Sequence, residues 1–287
     1  MQRRLEHYDV INWANNFIEK LLSVKEKQKG FNAKLLTIEV KKQLINDYNK
    51  AKARLILLDY DGTLVPFSED PQTVKPDERL LEILKTLSED QRNKIVIISG
   101  RDKGTLQNWF GTLNIGLVAE HGAWVKDDNE WMTIKPLKNE WKPKIIPILE
   151  MYTDMLPGAF VEEKEFSVVW HYRKAESEIS SILAKDLVDN LVNFTANIDL
   201  QVLQGNKVVE IKNSGVDKGF AALYWISKKD FDFVLAIGDD WTDEDMFNSL
   251  KDKNAYTIKV EILASSAKYN VYSYRDVTDI LKGLINS

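Results

Sequence analysis

The sequence predicts an α/β fold: a doubly wound, Rossmann-like parallel-sheet core interrupted by an inserted α+β domain. Three observations carry that expectation. From Arg54 onward, short β-rich apolar runs (RLILL, KIVII, GLVA, VLAI and YTIK) are each followed by turn residues and then a helical stretch, the pattern of parallel strands joined by crossovers. Each run is nearly continuous in apolar residues, as a strand covered on both faces requires. Residues 141–209 break the alternation, mixing helical stretches with alternating strands such as FVEEKEFSVVWHYR and IDLQVLQG, so a separate α+β unit is expected there.

Ahead of the first strand, Val10, Trp13, Phe17 and Leu21 recur at helical spacing, a polar, basic stretch follows, and LLTIEVKKQLINDYNKAKA turns helical again. Residues 1–50 therefore read as a helical lead-in and linker. The core is expected over 51–138 and 213–287, with DERLLEILKTLSE and DEDMFNSL as crossover helices, and the insert over 139–212.

Composition narrows the chemistry. The 287 residues are 44% hydrophobic, enough for a sizeable core. With 39 Lys+Arg against 44 Asp+Glu, the net charge of -5 is wrong for a partner that presents a phosphate backbone, so no nucleic acid is expected. The absence of cysteine removes disulfides, thiolate metal sites and thiol nucleophiles. The first twenty residues are broken by Glu6, Asp9 and three asparagines, unlike a signal peptide, and no apolar run is long enough to span a bilayer. A cytoplasmic protein with no membrane partner is the expectation.

In open α/β sheets ligands bind beyond the carboxyl ends of the strands, so the chemistry is expected at the strand tips. The first, LLDYDGTL, offers Asp59 and Asp61, two apart and hence on one face of an extended chain, with Gly62 allowing a sharp turn. Such a pair suits a hard divalent cation, although taken alone it more often caps a helix or borders a solvated loop. The second tip, IISGR, presents Ser99 and Arg101, a hydroxyl and a fork of donors suited to phosphate oxygens. The third, EHGAW, places Glu120 and His121 at the same rim, where a histidine is more often structural than catalytic. VLAIGDDWTDEDMF sets Asp239 and Asp240 directly after a strand, while Asp243, Glu244 and Asp245 are explained as acids at a helix N-terminus. Lys218, near the start of another helix, opposes the helix dipole there and so calls for an anion.

Together DxDGT, SGR, an isolated Lys and GDD, in that order, resemble the haloacid dehalogenase superfamily of phosphotransferases. The resemblance covers the chain from about Arg54 to its end. It implies that Asp59 is the nucleophile, Asp61 the acid/base, and Ser99 and Lys218 the phosphate ligands. It also implies magnesium, held by Asp59, Asp239, Asp240 and Asp61, the last through its backbone carbonyl. With AEHGA, VEEKEFSVVWHYR and NKVVEIK added, the chain is similar to the trehalose-6-phosphate phosphatase family. In that family the insert corresponds to a cap over the disaccharide. The candidates for sugar contact are then Glu120, His121, Glu162, Lys164 and Glu210, with Arg101 near the phosphate end. For the insert residues the other reading is an exposed strand face, and Lys212 departs from the arginine common in the family.

The lead-in resembles the closing helices of a trehalose-6-phosphate synthase, which implies a synthase partner in cis or in trans. The activity expected is magnesium-dependent hydrolysis of trehalose 6-phosphate through an aspartyl-phosphate. Another sugar phosphatase of the superfamily and a non-catalytic sugar-phosphate sensor are the alternatives. A sensor has no use for Asp59 and Asp61 as nucleophile and acid.

Overall fold

The computed structural model describes residues 34–68, 74–128, 130–175, 177–205 and 207–286. The helix expected around Val10, Trp13, Phe17 and Leu21 lies outside the described residues. The first described helix is α1 (Ile38–Lys50), whose N-cap Thr37 accepts a hydrogen bond from the Val40 N–H and which buries Leu44 and Tyr48. The core continues with β1 (Arg54–Asp59), α2 (Glu78–Glu89), β2 (Asn93–Ile98), α3 (Lys103–Phe110), β3 (Gly116–Ala119), β4 (Trp124–Asp127) and β5 (Glu130–Met132). The insert follows as α4 (Lys142–Met155), β6 (Phe160–Glu163), β7 (Ser167–His171), α5 (Ser177–Thr195), β8 (Leu200–Gly205) and β9 (Val208–Asn213). The chain then returns through α6 (Lys218–Ile226), β10 (Phe233–Gly238), α7 (Asp243–Ser249), β11 (Ala255–Val260), β12 (Tyr269–Val271) and α8 (Tyr274–Ile285).

The main sheet has the order β12-β11-β10-β1-β2-β3-β4-β5. All pairs from β12 to β3 are parallel, and only the β3–β4 and β4–β5 pairs are antiparallel. All six residues of β1 are buried, as its apolar run requires. Alternation along the strand divides its side chains between two layers. Leu55 and Leu57 pack with Ala222 and Trp225 of α6 and Phe247 of α7. Ile56 and Leu58 pack with Leu44 of α1, Leu84 of α2, Phe110 of α3 and Leu281 of α8. All five apolar runs are strands, and the doubly wound class holds. The β4–β5 hairpin and β12 have no counterpart among the expected strands, since these three- and four-residue segments, unlike GLVA, are not continuous apolar runs.

From β1 the chain winds outward through β2 and β3, and after the insert it winds the other way through β10, β11 and β12. The switch point therefore lies between β1 and β10, and a crevice opens at their carboxyl ends. The second sheet, β6-β7-β9-β8, is antiparallel throughout. Val168, Trp170, Val209 and Ile211 pack with Ile145 and Leu149 of α4 and Leu187 and Leu191 of α5. By the period of two, Glu162, Val169, Glu210 and Leu203, which are cross-strand partners in a single row, occupy the opposite face. The two chain crossings are joined by Asn213, which accepts from the Lys138 N–H at 3.1 Å and donates to the Lys138 carbonyl at 2.9 Å. Among the described residues no helix is long and apolar enough to cross a membrane.

Candidate active site

At the switch point Asp59 ends β1 and Asp239 follows β10, and between them Lys218 comes in from the first residue of α6. The Lys218 Nζ donates to Asp59 Oδ1 at 2.6 Å and to Asp243 Oδ1 at 2.8 Å, with all three side chains at least nine-tenths buried. A lysine at a helix N-terminus opposes the dipole, and these two carboxylates offset that. The other Asp243 oxygen accepts the N–H groups of Asp239 and Asp240 at 3.1 and 3.0 Å, which pins the turn after β10. Thr63 donates its hydroxyl to Asp239 Oδ1 at 3.3 Å. Gly62 lies at φ 81°, and a Cβ there would fall 2.0 Å from Asp239 Oδ2, so the turn after β1 admits only glycine.

The floor of the site therefore holds more buried negative than positive charge. Ligand atoms of Asp59, Asp239 and Asp243 lie within 4.8 Å of one another. Burial pushes the Asp59 carboxyl well above its usual range against the pull of Lys218, with Asp243 and Asp239 adding to the rise. Burial and then Asp243 raise Asp239 to about 6. Burial works against the Lys218 charge, but Asp243 and Asp59 outweigh it and raise the pKa above the ordinary lysine value. Hard carboxylate oxygens around uncompensated negative charge fit a divalent cation such as magnesium.

The neighbouring tips are locked together. Arg101 Nε and Nη2 reach Asp61 Oδ2 and Oδ1 at 2.9 and 2.5 Å. Ser99 is buried, and its hydroxyl accepts the Arg101 N–H at 3.2 Å. Glu120, His121 and Gly122 have φ of 48°, 53° and 118°, a left-handed run. It is held by hydrogen bonds from the Glu120 N–H to the Arg101 carbonyl and from the His121 N–H to the Ser99 carbonyl. The His121 imidazole lies against Gly100, where a Cβ would come within 2.4 Å of Nε2. Burial depresses His121 to about 3, so its 3.9 Å approach to Glu210 is contact with a neutral ring and not an ion pair.

A cavity of about 680 Å³ opens above this floor. Asp59, Asp61, Lys218, Asp239 and Asp240 line it from the core, joined by His121 and, from the insert, Glu210. Glu210 is buried, with Oε1 lacking a hydrogen-bond partner among the described residues. Burial pushes its carboxyl up, while the neighbouring His121, then Lys212 and Lys164, and the Ser167 hydroxyl together hold it below the usual range. The other foreseen sugar ligands are engaged elsewhere. The Glu120 carboxylate accepts the Glu165 and Phe166 N–H groups, Glu162 pairs with His171 at 2.7 Å, and Lys164 donates to the Gly100 carbonyl at 3.0 Å. Asp240 accepts the Trp241 N–H at 2.6 Å. Asp243 gives no separate signal in the sequence, because an acid at the start of α7 is already explained by the helix dipole. Thr63, Trp241 and Arg173 lie inside the quoted motifs but carry no separate signal there, and Phe67 lies outside every motif.

The profile of the trehalose-phosphatase family matches residues 57–278. The bifunctional trehalose-6-phosphate synthase/phosphatase of Thermoproteus tenax is 39% identical over 287 residues, covering 99% of this chain and 39% of that protein. A trehalose-phosphatase of Saccharomyces cerevisiae is 35% identical over 263 residues, covering 83% of this chain and 29% of that protein. The chain thus spans well under half the length of these curated relatives. Among solved structures, the C-terminal domain of C. albicans trehalose-6-phosphate phosphatase superposes with a TM-score of 0.82 at 33% identity, covering 89% of this chain and 99% of that one.

Proposed function

This chain belongs to the trehalose-phosphatase family, and from that premise we propose that it hydrolyses trehalose 6-phosphate to trehalose and phosphate through a phosphorylated Asp59. The observation that carries the reading is the buried Asp59–Lys218–Asp243 chain, at 2.6 and 2.8 Å, on the floor of a cavity walled by both sheets.

In the first step an Asp59 carboxylate oxygen bonds to phosphorus as the bond from phosphorus to the sugar oxygen breaks, and Asp61 protonates that oxygen as it leaves. In the second, Asp61 takes a proton from water, the hydroxide oxygen bonds to phosphorus, and the Asp59–phosphorus bond breaks to free phosphate. Lys218 holds Asp59 in place and balances charge on the transferred oxygens. Ser99, one residue from the Gly100 of the cavity wall, and Arg101 belong to the phosphate end. Asp59, Asp239 and Asp243 would hold a magnesium ion, with Asp240 and the Asp61 carbonyl beside them. Such an ion supplies Lewis-acid neutralisation of phosphoryl charge.

We divide the chain into a lead-in at 1–50, a core at 51–138 and 213–287, and a cap at 139–212. The reciprocal bonds between Lys138 and Asn213 support a junction there. Of the residues expected on the sugar side, Glu210 and His121 line the cavity, and Glu210 is assigned the direct contact, whereas Glu162, Lys164 and Glu120 would reach the sugar only by exchanging their present partners. Alignment of nearly the whole chain with part of a bifunctional relative supports a synthase domain as partner, in cis or in trans, and a cytoplasmic place for the enzyme rests on the sequence reading alone. Phosphate release from a panel of sugar phosphates, with magnesium and with chelator, tests the reading for wild type and Asp59→Asn. Trehalose 6-phosphate should be preferred, chelator should abolish turnover, and the variant should be inactive but folded. Preference for another sugar phosphate overturns the substrate, and an active Asp59→Asn overturns the mechanism.

A further inference from the structure

The charged floor of the cavity serves phosphoryl transfer, but its wall also carries exposed apolar side chains that have no part in that chemistry. Trp241 lines the cavity and remains 38% exposed. Phe67 and Leu263, 57% and 54% exposed, line it as well. Exposed apolar side chains scattered over a surface need no explanation, but several gathered in one cavity call for a ligand with apolar surface of its own.

Trp241 is presented by a rigid turn. Its N–H donates to Asp240 Oδ1 at 2.6 Å, and its carbonyl accepts the Glu244 N–H at 3.2 Å. The Asp240 carbonyl before it accepts the Lys259 Nζ at 2.9 Å. The indole Nε1 lies 3.5 Å from where a Cβ on Gly205 would stand, so the ring meets the end of β8 where core and insert face each other. The turn thereby fixes the backbone from which the ring projects, two residues beyond Asp239 and between the phosphoryl site and the insert.

We propose that Trp241 is a specificity-determining residue that stacks on a pyranose ring of the substrate. This rests on the sugar-phosphate reading above and adds the side chain that recognises the ring. A pyranose carries its hydroxyls around the edge and presents C–H groups on its faces, so a flat apolar surface beside hydrogen-bonding carboxylates matches both parts of it. Inorganic phosphate has no such face and makes no use of the indole.

The test compares wild type, Trp241→Ala, Trp241→Leu and Trp241→Phe. The readouts are KM for trehalose 6-phosphate, the inhibition constant of inorganic phosphate, and thermal melting. Trp241→Ala should raise KM about tenfold and leave the phosphate constant unchanged, and Trp241→Phe should restore most of the loss. Trp241→Leu fills space at the seam without offering a flat ring, so it should be as impaired as Trp241→Ala if it melts normally. An unchanged KM in Trp241→Ala overturns the proposal. So does a parallel rise in KM and the phosphate constant, or full rescue by Trp241→Leu, because each assigns the indole to holding the aspartate turn. The wild-type sugar-phosphate panel separates the two readings. If another pyranose phosphate is preferred, the named substrate falls and the same four-protein comparison on that substrate decides Trp241. If no sugar phosphate is hydrolysed, both fall.

Discussion

The guanidinium of Arg101 grips both carboxylate oxygens of Asp61, Nε to Oδ2 at 2.9 Å and Nη2 to Oδ1 at 2.5 Å. Arg101 is itself steadied by the Trp109 ring, 5.0 Å below the guanidinium carbon. The fork ties the tip of β1 to the tip of β2 and fixes the rotamer of the side chain assigned to acid/base work. To reach a sugar oxygen, Asp61 must exchange this partner for the substrate.

Asp61→Asn should therefore leave substrate binding measurable by calorimetry while lowering kcat by about 10²–10⁴-fold, because an amide keeps a contact to Arg101 but cannot carry the proton. Arg101→Lys keeps the charge and loses the fork, so it should melt close to wild type yet lower kcat/KM for trehalose 6-phosphate. Wild-type turnover in a folded Asp61→Asn would remove Asp61 from the mechanism.

Lys218 carries the stability of the floor. Replacing it with methionine leaves Asp59 and Asp243 buried without their cation, which should cost about 3–5 kcal/mol in metal-free urea titrations. The loss should be larger at pH 8 than at pH 6. Carboxyl groups raised by burial bind protons in the folded state that the unfolded chain does not hold, so stability declines as pH rises through their folded pKa values. Added magnesium should recover part of the loss. A Lys218→Met protein as stable as wild type at pH 8 would contradict the charge balance described for the floor.

Much of this site was legible because it follows from short-range pattern. Continuous apolar runs marked the strands, and acids at their ends marked the crevice, so Asp59, Lys218 and Asp239 could be found from sequence. Long-range pairing was not legible. Asp243 looked like an ordinary dipole-favoured acid, and nothing local says that it meets a lysine 25 positions earlier in the chain. Glu120 sits in a left-handed turn that carries its carboxylate to the backbone of Glu165 and Phe166, and φ signs are invisible in a motif. Trp241 escaped notice because its meaning depends on the insert arriving beside it.

His121 gives the fold an acid-sensitive point. Its pKa falls from 6.5 to about 3 on burial, so between those values the unfolded chain takes up a proton that the folded chain refuses. That contribution to stability is fully present above pH 6.5 and is lost as the pH drops toward 3. His121→Asn removes the titration, and asparagine tolerates the left-handed backbone at φ 53°. Melting temperature plotted against pH from 7 to 4 should fall less steeply for the variant than for wild type. Parallel curves would mean that His121 does not titrate on unfolding.

Glu210 separates the sugar half of the site from the phosphate half. Its row on the inserted sheet faces away from α4 and α5, it lines the cavity, and Oε1 has no hydrogen-bond partner among the described residues. A buried carboxylate oxygen left without a donor is costly unless something else supplies one. Sugar hydroxyls can do so, and one hydrogen bond to a charged group is worth roughly 1.5–3 kcal/mol. Glu210→Gln keeps the shape and removes the charge, so KM for trehalose 6-phosphate should rise by about one to two orders of magnitude. The inhibition constant of inorganic phosphate should stay near the wild-type value, because Asp59, Lys218 and Asp239 are untouched. Lys218→Ala provides the contrast and should weaken both, since sugar phosphate and free phosphate present the same oxygens to the floor. Steady-state kinetics of the two variants with the two ligands decides the matter. If Glu210→Gln weakens phosphate as much as the sugar phosphate, the carboxylate supports the floor and the insert's role in sugar recognition rests on other side chains.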